Sequence, residues 1–217
     1  MKSPYEGRIV AEKYRERGFN AAVLDYRCRP YSIYAAIEDA KRAMRLLRFN
    51  ADEWHIDKDK IAICGFSAGA HLSTMVGLHS DNGDMQAEKK IEKVSCKPNA
   101  VIQCYGAISF LKHGSQLFGE DKKIKEMLWM TPEWNVSINT PPFFMWMTGK
   151  DQIIDRTSLY DMAKALEAHE ISYELHLFPE GVHGVGLADG TNKFGGINAH
   201  TAHWMELSCE WLESMGF

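Results

Sequence analysis

A serine within a glycine-flanked pentapeptide is the residue of this chain whose setting most favours chemistry. Residues 65–69 have the sequence GFSAG, an apolar run at residues 61–64 precedes them, and a helix-like stretch at residues 70–78 follows. Strand, sharp turn and helix is the context in which G-x-S-x-G predicts a nucleophile elbow, a strained turn that exposes the serine. We therefore interpret Ser67 as a nucleophile and expect both glycines at positions where a side chain would collide. The alternative is a glycine-rich turn that merely contains a serine.

The partners that such a serine needs are found at the ends of two later predicted strands. A serine hydroxyl is a weak nucleophile at neutral pH and requires a base, which a carboxylate orients. The predicted strand at residues 142–147 leads into Asp151, and the predicted strand at residues 173–178 leads into His183. Behind an elbow of this kind the partners follow in the order serine, acid, histidine. We therefore predict Asp151 as the acid and His183 as the base of Ser67.

Two assignments around this trio depend on helix ends. Asp155 is the rival acid, but it lies where the N-cap of the next helix is expected, so we favour Asp151. The helix after the serine directs its free N–H groups and its positive dipole end at the elbow. We predict that the backbone N–H of Ala68 is one donor to the oxyanion of the reaction.

The remaining histidines have simpler interpretations. His71 lies one helical turn beyond the serine and is interpreted as structural, and His176 lies inside a predicted strand. His200 and His203 form an H-x-x-H pair, but no glutamate follows the first histidine and no third ligand is evident. Since zinc needs a fuller ligand set, we predict neither a metal site nor any other cofactor.

The elements that must position these residues alternate between strand and helix. Apolar runs predict the strands, and amphipathic stretches with N-cap or glycine signals predict the helices between them. Such alternation favours an α/β fold with a mostly parallel sheet flanked by helices. We expect one domain spanning residues 1–217, with a cap inserted at about residues 106–140. The predicted strands are residues 21–26, 60–64, 100–105, 142–147 and 173–178, and the predicted helices are residues 6–17, 33–49, 70–78, 157–169 and 200–215.

Composition narrows the classes of protein. The chain has 217 residues and a net charge of -4, which argues against a nucleic-acid partner. No apolar run is long enough to span a bilayer and the first residues do not resemble a signal peptide, so we expect no membrane association. Five cysteines without C-x-x-C spacing indicate free thiols in a reducing compartment, and we expect a cytoplasmic protein.

Three segments in a fixed order carry a family resemblance. GFSAGAH, then TGKD, then FPEGVHGVGLA resemble the α/β-hydrolase esterases of the acetyl-esterase and acetylxylan-esterase-like group, and the resemblance extends from about residue 5 over nearly the whole chain. It implies hydrolysis of short acyl esters, often O-acetyl groups on sugars, without metal or cofactor. It places the nucleophile at Ser67, the acid at Asp151, the base at His183 and one oxyanion donor at the Ala68 amide. The expected partner is a small-molecule or carbohydrate ester.

The chain departs from that group at its N-terminal end. Members of the group carry further strands before the helix that begins here near Tyr5, and an HGGG- or PGGG-type segment among them completes the oxyanion hole; this sequence has no such segment. A central strand would then be missing between residues 21–26 and 60–64. Either these two strands pair directly, or another chain supplies a strand, or the sequence is truncated. We expect a homo-oligomer that covers the apolar surface left by the missing strands.

Aromatic residues are the candidates for substrate binding. Phe66 lies in the elbow, and Trp129 and Trp134 lie in the predicted cap, where together with Phe118 they are placed to stack on a sugar ring. The alternative for each is that it packs the cap onto the core, because aromatic side chains mostly serve burial.

Two other functions stay open beside the esterase. A serine peptidase of the prolyl-oligopeptidase kind shares the same trio, but such peptidases usually carry a large extra domain and acidic residues that grip a peptide amino terminus, and neither is visible here. A weakly active hydrolase domain that serves as a binding module would fit the missing glycine segment, since an oxyanion donor contributes about two to three orders of magnitude in rate. We favour a serine carboxylesterase acting on small or sugar-borne acyl esters.

Overall fold

The computed structural model describes residues 3–106, 124–193 and 195–217. Within them lie four strands and seven α-helices, with short 3-10 helices at Lys90–Lys93 and Pro132–Trp134. In chain order the elements are α1 (Arg8–Glu16), α2 (Ile33–Phe49), β1 (Ala62–Phe66), α3 (Ala68–Leu78), β2 (Ala100–Cys104), α4 (Ile124–Trp129), β3 (Phe143–Thr148), α5 (Thr157–Ala168), β4 (Tyr173–Phe178), α6 (Ala199–Ala202) and α7 (Trp204–Ser214).

The four strands form one parallel sheet in the order β1-β2-β3-β4. In its register Phe66 lies opposite Cys104, Cys104 opposite Trp146, and Trp146 opposite His176. Every strand therefore ends at the same edge of the sheet, and the loops that follow the strands meet there. The predicted class, a parallel sheet flanked by helices, is confirmed.

Side chains of the central strands alternate between two helical layers. On one face Phe143 approaches Gly77 of α3. On the other face the ring of Trp146 stacks on Trp204 of α7, with centroids 5.0 Å apart. Because β2 and β3 are covered on both faces, all of their residues are buried and their sequences are nearly continuous apolar runs. The strands that lead to the carboxyl edge of the sheet are therefore held in the core.

The predicted strand at residues 21–26 is not formed. Residues 19–28 have no regular secondary structure, and Val23 and Leu24 are 54% and 40% exposed. Among the described residues the sheet ends at β1, so the direct pairing of this run with β1 is also wrong. A strand needs a neighbour for its backbone groups, and none of the described strands adjoins this run. Instead, Arg27 fixes the segment to α2, donating to the carboxylate of Asp39 at 2.7 to 2.9 Å.

Two further expectations concern the cap and the closing helix. Of the cap predicted at about residues 106–140, residues 107–123, which include Phe118, lie outside the described residues, and the described remainder contains α4 and the second 3-10 helix. The closing helix predicted as one element is two helices, α6 and α7, which meet at His203. None of the helices in the described residues combines the length and the apolar character that crossing a bilayer requires.

Candidate active site

Ser67 lies on the turn between β1 and α3, at the carboxyl edge of the sheet. Its φ is 51 and its ψ is -116 degrees, a left-handed conformation that costs a non-glycine residue on the order of 1–3 kcal/mol. The N–H of Ser67 donates a 3.0 Å hydrogen bond to the carbonyl oxygen of Cys104 at the end of β2. The strand, the strained turn and the helix predicted around this serine are therefore all present.

The two glycines of the turn have different roles. A Cβ on Gly65 would lie 2.0 Å from the carbonyl oxygen of Gly69 and 2.8 Å from the amide nitrogen of Ala70, so only glycine lets the start of α3 approach β1 this closely. A Cβ on Gly69 would find the hydroxyl oxygen of Tyr26 as its nearest neighbour, at an ordinary contact distance of 3.9 Å. The expected collision is therefore right for Gly65 and wrong for Gly69.

The structure brings the three predicted residues into one hydrogen-bonded chain. Ser67 Oγ lies 2.8 Å from His183 Nε2, and His183 Nδ1 lies 2.7 Å from Asp151 Oδ2. The side chain of His183 is 13% exposed and that of Asp151 is fully buried. The imidazole thus faces the serine on one side and the carboxylate on the other, with little access for bulk water to the carboxylate.

The surroundings of Asp151 keep its carboxyl group ionised. Burial acts to raise the pKa of Asp151, but the hydrogen bonds from His183 and from the amides of Ile154 and Ile153 outweigh it and hold the pKa below its usual value. Those two amides donate to Oδ1 at 2.9 and 2.8 Å, which leaves Oδ2 to the imidazole. Since an ionised carboxylate only accepts, Nδ1 donates to Oδ2, and in the neutral form of the ring Nε2 is then the unprotonated nitrogen that faces the serine.

The rival acid has a different partner. Asp155 accepts hydrogen bonds from the N–H of Thr157 at 2.9 Å and from its hydroxyl at 2.6 Å, at the start of α5. The N-cap residue of α5 is Arg156, so the N-cap position predicted for Asp155 is wrong by one residue, although its carboxylate does bond the first residue of the helix. The carboxylate in contact with His183 is that of Asp151.

Sequence reasoning missed the residues that hold the loop of the histidine. The indole Nε1–H of Trp204 donates to the carbonyl oxygen of Gly186 at 3.0 Å, and the ring of Tyr105 lies 5.3 Å from that of His183. A signal was available for Tyr105, because it is the last residue of a predicted strand, residues 100–105, and polar residues at strand ends build the rest of the site. For Trp204 no local signal exists, since its partner lies in a separate loop.

Ala68 opens α3 directly after the nucleophile and is exposed. Its amide is one of the first N–H groups of a helix, which have no intrahelical acceptor. The group predicted as an oxyanion donor therefore belongs to an exposed residue directly after Ser67.

Phe66 packs inside the core. The residue is 8% exposed, and the centroid of its ring lies 5.7 Å from those of both Tyr105 and Trp204. These contacts are the packing alternative for Phe66, and its role in substrate binding stays a prediction.

The two predicted substrate-binding tryptophans lie in different settings. Trp129 stacks on the ring of His79, with centroids 4.2 Å apart and planes 17° from parallel. His79 directly follows α3, so at about 1.5 Å of rise per residue it lies roughly 18 Å from Ser67 along the helix. Trp134 is 66% exposed. Packing accounts for Trp129, and a substrate contact of either tryptophan stays a prediction.

The other histidines lie apart from this trio. His71 is buried, donates from Nε2 to the carbonyl oxygen of Met130 at 3.0 Å, and has its pKa lowered to about 4, chiefly by burial. His176, His200 and His203 line a cavity of about 510 Å³ to which none of the three predicted catalytic residues contributes. In the described ranges no three histidine, cysteine or acidic side chains are grouped so as to hold a metal ion.

The chain is similar to one family model and to several known proteins. The BD-FAE family model matches residues 2–166. The solved structure of the acetyl ester-xyloside bifunctional hydrolase of Caldicellulosiruptor lactoaceticus is 36% identical, with a TM-score of 0.92 over all of this chain and 79% of that one. Endo-1,4-beta-xylanase B of Butyrivibrio fibrisolvens is 31% identical over 87% of this chain and 31% of its own length. Esterase LipC of Mycobacterium tuberculosis is 28% identical over 90% of this chain and 52% of its own length. The chain thus spans about a third to a half of the length of the last two relatives.

Proposed function

Because the chain belongs to the BD-FAE family and has the α/β-hydrolase fold, we propose that it is a serine carboxylesterase. In this proposal Ser67 is the nucleophile, His183 the general base and then the general acid, and Asp151 the residue that orients the imidazole. The substrates are short acyl esters, including O-acetyl groups on carbohydrates.

One observation carries the proposal. The 2.8 Å contact between Ser67 Oγ and His183 Nε2 joins a serine on a strained turn to a base whose other nitrogen is held by a buried carboxylate. A nucleophile, a base and an orienting acid in that order of contact form the arrangement that activates a hydroxyl for acyl transfer.

Acylation follows from this geometry. Nε2 of His183 accepts the hydroxyl proton as Ser67 Oγ attacks the ester carbonyl carbon. In this proposal the negative charge that develops on the carbonyl oxygen is stabilised by the amide of Ala68, at the start of α3. When the tetrahedral intermediate collapses, the bond to the alcohol oxygen breaks and His183 returns the proton to that oxygen. The alcohol leaves and the acyl group stays on the serine.

Deacylation repeats the same proton transfers with water. His183 accepts a proton from water, the water oxygen attacks the acyl carbon, and the proton returns to Ser67 Oγ as the acid product leaves. In both half-reactions Asp151 stabilises the imidazolium that forms, because its ionised Oδ2 remains 2.7 Å from Nδ1.

The substrate class is supported by the relatives. A solved structure that is 36% identical is described as an acetyl ester-xyloside bifunctional hydrolase, and this favours acetyl groups on xylose-containing sugars for the present chain. Release of acetate from acetylated xylo-oligosaccharides, compared with release from a simple alkyl acetate, tests this part of the proposal.

The reaction type is tested with two chromogenic substrates and one variant. We expect hydrolysis of p-nitrophenyl acetate, no cleavage of an aminoacyl p-nitroanilide, and a loss of about four orders of magnitude or more in kcat for Ser67→Ala. Ester hydrolysis should be lost at acidic pH, because a base that already carries a proton cannot accept one from the serine.

Each contrary result points to a different function. Cleavage of the anilide would favour a peptidase, and absence of turnover with both substrates would favour a binding module. A Ser67→Ala variant with full activity, or a rate that does not change between about pH 5 and 9, would contradict the serine–histidine mechanism.

A further inference from the structure

Tyr105 directly follows β2, and its ring meets the imidazole of His183 edge-on, with centroids 5.3 Å apart and planes at 74°. The residue is 1% exposed, and its hydroxyl bonds two segments that are distant from it in sequence. We propose that Tyr105 is a positioning residue for His183, which holds the loop of the base at a fixed distance from the strand of the nucleophile. This inference rests on the proposed function, in which His183 is the base.

The hydroxyl of Tyr105 fixes the loop through Gly186, three residues after the histidine. The N–H of Gly186 donates to Tyr105 Oη at 3.1 Å, while its carbonyl oxygen accepts the 3.0 Å bond from Trp204 Nε1. Both backbone polar groups of this glycine are thus bonded to buried side chains. Other side chains bond the same loop at Val182, Gly184 and Glu180. Tyr105 both bonds the loop and contacts the imidazole with its ring.

Glu6 determines that the hydroxyl of Tyr105 acts as the acceptor in its hydrogen bond with Gly186. Tyr105 Oη donates to Glu6 Oε1 at 2.8 Å, and because a carboxylate only accepts, the hydroxyl proton points to Glu6 and a lone pair faces the amide of Gly186. Burial and then the charge of Glu6 raise the pKa of Tyr105 well above its usual value, so the hydroxyl keeps its proton. Tyr105 therefore links the segment before α1 to the loop of the base.

The ring of Tyr105 reaches the nucleophile side as well. It lies 5.7 Å from the ring of Phe66, the residue before Ser67, and 5.0 Å edge-on from the ring of Trp146 in β3. One side chain thus contacts the strand that delivers the serine and the loop that delivers the histidine. The distance between this strand and this loop decides whether the 2.8 Å contact between Ser67 Oγ and His183 Nε2 forms. A displacement of about 1 Å in such a contact costs on the order of a hundredfold in rate.

The backbone conformation of Tyr105 supports the same role independently of its side-chain contacts. Its φ is 41 degrees, in the left-handed region that side chains other than glycine, asparagine and aspartate rarely adopt. Its N–H nevertheless donates a 2.8 Å hydrogen bond to the carbonyl oxygen of Trp146. Conformations of this kind persist where the surroundings fix them and recur at functional sites. The positive φ of Tyr105 thus occurs at the residue whose ring packs against His183.

A pair of matched variants tests the proposal. Tyr105→Phe removes the hydroxyl and keeps the ring, and Tyr14→Phe removes a second buried hydroxyl, which lies 2.8 Å from Ser208 Oγ between α1 and α7. We expect both variants to lower Tm by similar amounts. With p-nitrophenyl acetate, Tyr105→Phe should lose at least tenfold in kcat with KM within twofold of the unmodified protein, and Tyr14→Phe should stay within twofold in both.

Variants of Glu6 supply a conservative rescue. Glu6→Leu removes the acceptor of the Tyr105 proton and should lower kcat in the same direction as Tyr105→Phe. Glu6→Gln keeps a carbonyl oxygen at that position and should retain at least half of kcat. Equal losses in the two variants would show that the acceptor for the tyrosine proton has no part in positioning the base.

Hydrogen–deuterium exchange separates this inference from the proposed function. The peptide that contains Gly186 should exchange faster in Tyr105→Phe and at the original rate in Tyr14→Phe, whether or not the protein turns over an ester. Full esterase activity in Ser67→Ala would defeat the proposed function, and the exchange rates would still decide whether Tyr105 holds the loop. Unchanged exchange in Tyr105→Phe, or a kcat equal to that of Tyr14→Phe, overturns the positioning role.

Discussion

Residues 21–26 and residues 61–66 are two apolar runs of similar composition with different structures. The second run forms β1, which is hydrogen-bonded to β2 along its length, and its last residues are buried. The first run is exposed and has no strand neighbour among the described residues. Apolar and β-branched composition shows that a segment fits a half-buried pleated surface, and whether it becomes a strand depends on a partner for its backbone.

The candidate site also has a side built on paired strands and a side that borders the unpaired run. The serine, the acid and the histidine follow β1, β3 and β4, whose ladder fixes where the strands end. The side chain that lies nearest to a Cβ built on Gly69, at the other side of the elbow, is that of Tyr26, from the unpaired run. Changes on the paired side should therefore have large effects and changes on the unpaired run small ones, unless a partner covers that run in solution.

The largest expected effect lies on the paired side, at the acid. Asp151→Asn should lower kcat for p-nitrophenyl acetate by about three to four orders of magnitude, because an amide can donate to Nδ1 and so favours the wrong tautomer of His183. Asp155→Asn is the matched control, since an asparagine keeps an oxygen that accepts from the N–H of Thr157 at the start of α5. It should retain kcat within about threefold. The opposite ranking of the two variants would transfer the role of the acid to Asp155.

Substituting each of the two glycines of the elbow compares the side that faces β1 with the side that faces Tyr26. Gly65→Ala should lower the free energy of unfolding by about 3 kcal/mol, because its Cβ would meet the backbone of Gly69 at 2.0 Å. Gly69→Ala meets nothing closer than 3.9 Å and replaces a glycine in a helix, so stability should be unchanged or rise by up to about 1 kcal/mol. Urea unfolding measures both. A comparable loss for Gly69→Ala would mean that another segment occupies the space beside α3 in solution.

Much of the paired half could be predicted from the sequence, because its signals are local. The strand predicted at residues 173–178 coincides with β4, and the contact of Asp151 with His183 follows from the rule that polar residues at the ends of parallel strands meet. The position of Asp155 beside the first residue of α5 was predictable from capping chemistry to within one residue, since the N-cap is Arg156.

What could not be predicted depends on contacts between distant segments. The run at residues 21–26 has the composition of a buried strand, and only the absence of an adjoining described strand explains its exposure. The link from Glu6 through Tyr105 to Gly186 joins three loops, and no spacing in the sequence announces it. The break of the closing helix at His203 likewise has no glycine or proline to mark it.

Acid sensitivity is expected to arise on the paired side, from His71 of α3. Burial lowers its pKa from 6.5 to about 4, so the unfolded chain binds a proton between these values and the native protein does not. The free energy of unfolding should therefore fall by about 3 kcal/mol as the pH drops from 6.5 to 4. Urea unfolding across this range measures the slope. In His71→Gln, whose amide can still donate to Met130, most of that slope should vanish; an unchanged slope would assign it to other groups.

The smallest change in unfolding free energy is expected for a substitution within residues 21–26. This substitution tests directly whether the unpaired run differs from a paired strand. Val23→Ser changes a residue that is 54% exposed and should cost less than about 0.5 kcal/mol of unfolding free energy, whereas Val101→Ser, the same change at a fully buried position of β2, should cost about 3 kcal/mol.

Self-association gives the same pair of variants a second readout. If a second copy covers the unpaired run, as we expect, sedimentation velocity should detect a dimer or larger species, and Val23→Ser should weaken it while leaving Tm at low concentration unchanged. Val101→Ser should lower Tm at every concentration. A Val23→Ser variant that loses as much stability as Val101→Ser at monomer concentrations would mean that the run is buried within a single copy, as its composition indicates. If the protein is a monomer at all concentrations and Val23→Ser does not change its stability, residues 21–26 are exposed in solution. The difference between this run and β1 would then hold within a single copy of the chain.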